Sequence, residues 1–336
     1  MNGAPVHTFS VVIATRNRDA LLAQTLDALA GQDWPASHTE IIVADNGSTD
    51  ETPRVVARAA ARRGGPLVRY LFVGQPGKSA AVNQALALAT GNLVAFTDDD
   101  VRPEPSWLRA LARAFDDTGA DFVAGRVLPS WQTTPPSWVS PALYGVLAVP
   151  DNGSDRRPIT LDDPDVMPIG ANMAVRWSVI CDVGGLAEDL GKLEGTLRTG
   201  EDHEFYLRML HAGLRGVYEP GAVVHHRVGT ERLDRAYFRR WLHQNGRDVA
   251  RLERLYPPPD GRRLLRAPGY LWRRAAGDAT ALLRAAARGD GATRFGAATR
   301  LLWFAGYLRE QWFRSRRGAD PAPATTTRRA FAPQAH

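Results

Sequence analysis

Three consecutive carboxylates, Asp98, Asp99 and Asp100, lie at the junction of two predicted elements. The apolar residues 92–96 predict a buried strand before them, and residues 103–115 predict a helix that begins at prolines. Two carboxylates about 4 Å apart repel each other by about 4 kcal/mol at an effective dielectric of 20, so this cluster needs solvent or a cation. In α/β proteins, ligands bind where strands end and helices begin. The triplet therefore predicts either a solvated acidic turn or a site for a hard divalent cation beside a phosphate-bearing ligand.

Other polar residues occupy comparable positions along the chain. Asp45 follows a predicted strand, Lys78 lies in a glycine loop before a helix, and Asp202 opens a helix. His225 and His226 follow another predicted strand, and at most one of them is expected to reach a site because strand neighbours point to opposite faces. Each has an ordinary explanation alone, since carboxylates, for example, stabilise helix N-termini. Together they are expected to converge with the triplet on one edge of one sheet.

The elements that would position these residues alternate between strand and helix. Strands are predicted at residues 9–14, 40–44, 67–73, 92–96, 121–128, 170–176 and 216–224. Apolar residues at helical spacing predict intervening helices, as in residues 19–30 and 201–212. The fold class is therefore α/β, with a Rossmann-like, mostly parallel sheet flanked by helices.

Charge divides the chain into an acidic front and a basic back. Residues 1–231 are predicted to form the α/β domain. Residues 232–317 hold 20 Arg and only 7 Asp or Glu, and they predict a region of basic, amphipathic helices. Residues 318–336 are rich in Ala, Pro and Thr and predict a disordered tail.

The basic helices fit a membrane surface, and they equally fit helices that pack on the α/β domain with a solvated face. No nucleic-acid-binding motif accompanies them, so no nucleic-acid partner is expected. No apolar run reaches the roughly 18 residues of a membrane span, and Met1–His7 does not resemble a signal peptide. The single cysteine, Cys181, agrees with a reducing compartment. We expect a cytoplasmic protein, with contact to the inner face of the membrane as an open alternative.

Two segments of the sequence partly match known motifs but lack residues that those motifs require. Residues 72–79 resemble a P-loop, but Phe72 occupies the position of its first glycine. The triplet does not open an EF-hand, because Arg102 and Pro103 stand where a ligand and a glycine are required. Lys78 could still meet a phosphate, because it lies on a glycine loop ahead of a helix N-terminus.

In the order and spacing of its motifs, the chain resembles the inverting glycosyltransferases of family 2, which have the GT-A fold. The resemblance covers residues 9 to about 250 and rests on segments 10–18, 43–50, 77–83, 96–100, 170–173, 200–205 and 223–228. It implies metal-dependent transfer of a sugar, with inversion, from a nucleoside-diphosphate sugar to an acceptor hydroxyl in glycan, glycolipid or polysaccharide assembly. It also implies that residues 1–117 bind the nucleotide sugar and that residues 118–231 serve the acceptor and catalysis.

The resemblance further implies roles for individual residues. Asp202 corresponds to the catalytic base. Asp100 and His226 correspond to ligands of Mg²⁺ or Mn²⁺, with His225 as an alternative to His226. The acceptor, whether a sugar, a lipid-linked or a small molecule, would contact Gly170, Asn172 and Glu201.

The donor side is implied in the same way. Thr15 and Asp45 correspond to contacts with the nucleoside, and Asp45 would accept a hydrogen bond from the base. Asp98 would lie near the ribose. The other donor-side residues are Arg16, Asn46, Lys78 and Asp99, although Asp99 could also be only a spacer.

Two alternative functions stay open. A sugar nucleotidyltransferase would require a long basic glycine loop after the first strand, whereas residues 15–18 are short and lack glycine. A catalytically silent nucleotide- or sugar-binding protein would not need a base candidate beside a metal cluster.

Overall fold

The computed structural model describes residues 7–163, 166, 168–191, 196–257 and 263–313. The strands are β1 (Phe9–Thr15), β2 (Thr39–Asp45), β3 (Leu67–Phe72), β4 (Leu93–Asp98), β5 (Val101–Pro103), β6 (Phe122–Trp131), β7 (Arg157–Ile159), β8 (Met173–Arg176), β9 (Gly216–Val228), β10 (Arg263–Leu264) and β11 (Ala267–Pro268). The α-helices are α1 (Asp19–Ala30), α2 (Thr52–Ala60), α3 (Lys78–Leu86), α4 (Trp107–Thr118), α5 (Trp177–Val183), α6 (Glu201–His211), α7 (Arg235–Leu255), α8 (Gly269–Arg288) and α9 (Gly291–Phe313).

Within the described residues, nine strands form one mixed sheet in the order β3-β2-β1-β4-β8-β6-β9-β5, with β7 also paired to β9. Strands β1 to β4 are parallel, and β8 runs antiparallel to both β4 and β6. The chain order reverses beside β1, which lies between β2 and β4. This reversal opens a crevice at the carboxyl ends of β1 and β4, which are Thr15 and Asp98.

Two apolar cores cover the two faces of the sheet. Alternate residues of β1 enter different cores, so that Val11 and Ile13 pack on one side and Val12 on the other. Helices α1, α2 and α4 contribute buried side chains to the first core, and α3, α5 and α6 contribute them to the second. The predicted fold class, an α/β sheet flanked by helices, is confirmed.

The long strands and helices predicted from the sequence are present in the structure, but several begin or end at other residues than predicted. Strand β9 continues to Val228 instead of ending at Val224, so both histidines lie inside it. Strands β5 and β7 and the β10–β11 hairpin were not predicted, because two or three residues are too few to show a periodicity. The predicted tail at 318–336 lies outside the described residues.

The C-terminal helices pack on the sheet domain and on one another. Trp138 contacts Phe238 of α7 and Phe295 of α9, with ring centroids 5.0 and 4.7 Å apart. Farther along, α7, α8 and α9 enclose a third core around Phe304 and Tyr307. None of the described helices is long and apolar enough to cross a membrane.

Helices α7 and α9 approach each other at two glycines. A Cβ on Gly306 would overlap the backbone carbonyl of His243, and a Cβ on Gly246 would overlap that of Trp303. In contrast, a Cβ on Gly277 of α8 would have no neighbour within 4 Å. The glycines therefore set the distance between α7 and α9.

We predict that Gly306→Ala destabilises the protein by about 1–3 kcal/mol, because the added methyl group forces the helices apart. Gly277→Ala is the matched control, and it should be neutral or stabilising by up to about 1 kcal/mol, since alanine favours helix. Chemical denaturation of both variants measures the difference. Equal midpoints for the two variants would show that the close contact is not required.

Candidate active site

The acidic triplet lies at the turn between β4 and β5. Asp98 ends β4, and Val101 begins the short strand that pairs with β9. The hydroxyl group of Thr25 in α1 donates to the carbonyl oxygens of Asp99 and Val101, at 3.0 and 2.8 Å. The buried side chain of Thr25 thus fixes the backbone of the turn. The turn in its place keeps the three carboxylates close together.

Basic side chains neutralise this cluster. Lys78 Nζ lies 2.5 Å from Asp98 Oδ1, and Arg18 Nη1 lies 2.9 Å from carboxylate oxygens of both Asp99 and Asp100. Although burial lowers the pKa of Lys78, the charge of Asp98 more than compensates and holds that pKa above its ordinary value. Burial raises the pKa of Asp99, and the charge of Arg18 opposes that rise. The triplet is therefore an ion-paired cluster and not a solvated turn.

Asp98, Asp100 and His226 could together hold a metal ion. Each offers a ligand atom, and these atoms lie within 4.8 Å of one another. Burial lowers the pKa of His226, which favours the neutral ring that can bind a metal. Its Nε2 lies 3.4 Å from Asp100 Oδ1, and its buried Nδ1 has no hydrogen-bond partner among the described residues. Two carboxylates and a neutral imidazole are a ligand set that fits a divalent cation.

The two histidines point to opposite faces of β9, as their adjacency predicts. His226 is buried against Asp100, whereas His225 Nε2 lies 3.0 Å from Glu104 Oε1. His226 is therefore the histidine that faces the triplet.

A pocket extends from the triplet over the end of β1. Thr15, Arg16, Asn46 and Lys78 line it, together with the three carboxylates. The Asn46 side chain joins two loops, because its Oδ1 accepts from Gly77 N at 2.9 Å and its Nδ2 donates to backbone carbonyls. Four of the predicted donor-side residues thus meet the acidic triplet in one pocket.

Asp45 pairs with Thr15 between β1 and β2 but is not itself a lining residue of this pocket. It is fully buried, and its carboxylate accepts from Tyr70 Oη at 2.8 Å and from Ser48 N at 2.8 Å. Burial, together with this carboxylate, raises the pKa of Tyr70 to about 12. Asp45 therefore braces the loop after β2, and it does not line the pocket in this arrangement.

Asp202 lies at the N-terminus of α6, in an adjoining pocket. Its two carboxylate oxygens accept from Gly170 N at 3.0 Å and from His203 N at 2.8 Å. Gly200, which precedes the helix, has φ +118°, a conformation that side-chain-bearing residues rarely adopt. The backbone therefore aims the carboxylate into the pocket.

The other predicted acceptor-side residues differ in accessibility. Gly170 packs on Asp202, and Glu201 lines the same pocket, where burial raises its pKa. Asn172 is completely buried. It accepts from Trp107 Nε1 at 2.8 Å and donates to the carbonyl oxygens of Arg126 and Ala222, at 2.9 and 2.8 Å. The amide of Asn172 joins α4, β6 and β9 and does not line either pocket.

Several lining residues were not singled out from the sequence. Arg18 belongs to a motif quoted above, but nothing marked its contact with the triplet. Arg232, which lies 3.6 Å from Asp100, is one of many arginines in the basic region. Tyr237, Trp241 and Asn245 of α7 line the Asp202 pocket, and only the tertiary packing of α7 reveals them.

The two pockets form one continuous cleft. Both are lined by Lys78, Asp98, Thr196, His226 and Arg232. A cation and an anionic ligand at the triplet would therefore lie beside a carboxylate that can accept a proton. This arrangement suits the displacement of a phosphate-bearing leaving group by a hydroxyl group.

The fold and cleft define a GT-A glycosyltransferase architecture. The glycosyl transferase family 2 profile matches residues 10–180, and the chain belongs to this family. The chain is 30% identical over 237 residues to a pre-mycofactocin glycosyltransferase of Mycobacterium tuberculosis, which covers 67% of this chain and 44% of the relative. The chain thus spans less than half the length of that relative. The predicted membership of family 2 is confirmed.

Two further similarities agree with this assignment. The chain is 28% identical over 240 residues to the succinoglycan biosynthesis protein ExoM of Rhizobium meliloti, covering 69% of this chain and 71% of ExoM. Its fold resembles that of the mannosyltransferase PcManGT from Pyrobaculum calidifontis, solved in complex with GDP-Man and Mn²⁺. The TM-score is 0.64 at 22% identity, over 91% of this chain and 87% of the other.

We predict that Asn172→Ala lowers the free energy of unfolding by at least about 2 kcal/mol, because it leaves the Trp107 indole and two buried carbonyl groups unpaired. Below the unfolding transition, the variant should bind a nucleoside diphosphate like the wild type. Chemical denaturation and nucleotide titration measure the two effects. A stable variant with impaired ligand binding would instead indicate direct contact with substrate.

Proposed function

We propose that the protein transfers a glycosyl group from a nucleoside-diphosphate sugar to an acceptor hydroxyl group, in a metal-dependent reaction that inverts the anomeric configuration. The observation that carries this proposal is the continuous cleft between the acidic triplet and Asp202. Membership of family 2 supports the reaction class. The GDP-Man and Mn²⁺ bound to the similarly folded mannosyltransferase support the donor type and the cation.

On the donor side, the proposed contacts are made by side chains at the ends of β1, β2 and β4. Thr15, Arg16 and Asn46 line the part of the pocket proposed for the nucleoside and ribose. Asp45 would reach the base only if its hydrogen bond with Tyr70 were exchanged for one with the nucleotide. Lys78 would exchange part of its interaction with Asp98 for an oxygen of the donor.

Asp98, Asp100 and His226 are the proposed ligands of Mg²⁺ or Mn²⁺. When bound there, the cation would supply positive charge that stabilises the departing diphosphate. Arg18 and Arg232 flank Asp100 and orient its carboxylate. Asp99 pairs with Arg18 and Thr15, so its proposed role is to position these donor-side residues.

Asp202 is the proposed catalytic base. It lines the same cleft as Asp98 and His226, so it can accept the proton of an acceptor hydroxyl as that oxygen attacks the anomeric carbon. Attack from the side opposite the leaving diphosphate inverts the configuration in a single displacement. Gly170 N and His203 N hold the carboxylate during this step. Glu201 lines the same pocket and is proposed to contact the acceptor.

The two alternatives are less well supported. A nucleotidyltransferase would not require a second carboxylate, Asp202, in the cleft beside the cation site. A silent binding protein would not need Asp202 held by two backbone amides beside that site.

We also propose that the protein acts in the cytoplasm, with peripheral contact to the membrane. Leu264 and Leu265 are exposed at the β10–β11 hairpin, beside the exposed side chains of Trp312 and Phe313. Apolar tips among many arginines suit an anionic lipid surface.

We predict that Asp202→Asn reduces sugar transfer by at least about 100-fold, because it removes the base while retaining a similar shape. Donor and metal binding should change little. Asp33→Asn, on an exposed carboxylate paired with Arg109, is the control and should retain activity. Product analysis by NMR would measure both turnover and anomeric configuration. Wild-type turnover by Asp202→Asn would exclude it as the base.

We predict that Mn²⁺ increases the thermal stabilisation of the wild type by UDP or GDP, and that Asp100→Asn abolishes this increase. The reason is that Asp100 supplies one carboxylate of the proposed metal set. The Asp33→Asn control should retain the full effect. If Asp100→Asn responds to Mn²⁺ like the control, the metal does not bind at the triplet.

A further inference from the structure

A basic groove adjoins the Asp202 pocket and is not used by the reaction as described above. We define the arginine groove as the cleft between segment 196–198 and Arg240, His243, Arg247 and Arg251 of α7. Segment 196–198 also lines the Asp202 pocket, and its first residue lines the triplet pocket as well. The cleft therefore continues from the donor side, past Asp202, into the arginine groove.

The arginine groove carries excess positive charge. Arg247 and Arg251 share one carboxylate, that of Glu310, at 3.1 and 3.0 Å. Arg254 lies 3.5 Å from the same carboxylate. Arg240 is exposed and has no ion-pair partner among the described residues. Because two of the groove's arginines, Arg247 and Arg251, share one carboxylate and Arg240 faces solvent, the groove can bind an anion.

A second carboxylate near the groove is directed elsewhere. Asp248 is buried and accepts from Thr199 N at 3.0 Å and from Gln244 Nε2 at 2.8 Å. Its distance of 3.8 Å from Arg251 makes that ion pair a weak one. The bond to Thr199 instead ties segment 196–199 to α7, so both walls of the groove are held in place.

The positive field is also felt by His243. Its pKa is lowered, first by burial and then by the charges of Arg309 and Arg247. A neutral His243 adds no charge and can donate or accept a hydrogen bond at the groove. A guanidinium group can donate two parallel hydrogen bonds to two oxygens of one phosphate group. A sugar hydroxyl group has only one oxygen and cannot accept such a pair.

We propose that the arginine groove binds a phosphate group of the acceptor, and thereby brings the acceptor hydroxyl group to Asp202. The acceptor class is thus a phosphate monoester or diester, carried either by a lipid headgroup or by a soluble molecule. This inference rests on the proposed function only where it identifies the phosphate compound as the acceptor. Binding of phosphate in the arginine groove does not itself require catalysis.

Titration of inorganic tripolyphosphate into the full-length protein, in EDTA, tests the proposal. We expect Arg240→Glu to weaken binding at least about tenfold and Arg284→Glu to change it by less than about twofold, with wild-type affinity falling as salt is raised. Arg284 is the matched control, since it is exposed on α8 and does not line the groove. Equal affinities of the two variants, or no binding by the wild type, would overturn the proposal.

Two further arms identify the phosphate source and separate this proposal from the reaction. If Arg240→Glu alone loses co-sedimentation with phosphatidylglycerol vesicles, the phosphate belongs to a lipid headgroup. If both variants behave alike with vesicles while tripolyphosphate binding is lost only in Arg240→Glu, the phosphate belongs to a soluble acceptor. Asp202→Asn should bind tripolyphosphate like the wild type. If the arginine groove does not bind phosphate, the assignment of Asp202 as the base is unaffected. If Asp202 is not the base, phosphate binding by the arginine groove is unaffected.

Discussion

The neutralisation of three adjacent carboxylates is the constraint on which the site depends. Asp98, Asp99 and Asp100 end a buried strand, where mutual repulsion would oppose folding without nearby positive charge. Lys78 and Arg18 supply that charge, with help from the more distant Arg232. In formal charges the cluster is then balanced, so a divalent cation would make it positive. A positively charged pocket requires an anion, which explains why cation and diphosphate binding are expected to be coupled.

Much of this arrangement could be predicted from the sequence, because long strands and helices carry clear periodicity. The convergence of Lys78 and the triplet followed from the rule that ligands bind at strand ends. Whether His225 or His226 faces the site could not be decided until the pairing of β5 with β9 was known. Asn172 lies in a family motif yet is buried, and a motif alone does not distinguish a ligand contact from a structural hydrogen bond. The sequence did not mark Arg232 as a site residue, because arginine is abundant throughout the basic region.

The C-terminal helices are part of the site as well as of the fold. Helix α7 places Phe238 in the first core of the sheet. Three successive turns of the same helix contribute Tyr237, Trp241 and Asn245 to the Asp202 pocket. The close crossing of α7 and α9 holds Glu310 against the arginines of α7. Acceptor recognition is therefore expected to depend on the packing of these helices, whereas the donor side depends on the sheet.

The most direct test is a crystal structure with Mn²⁺ and a nucleoside diphosphate, read from the anomalous signal of manganese. We predict one strong peak within coordination distance of Asp98, Asp100 and His226, next to the diphosphate oxygens and in the same cleft as Asp202. A peak bound by other residues, or a nucleotide bound away from the triplet, would contradict it.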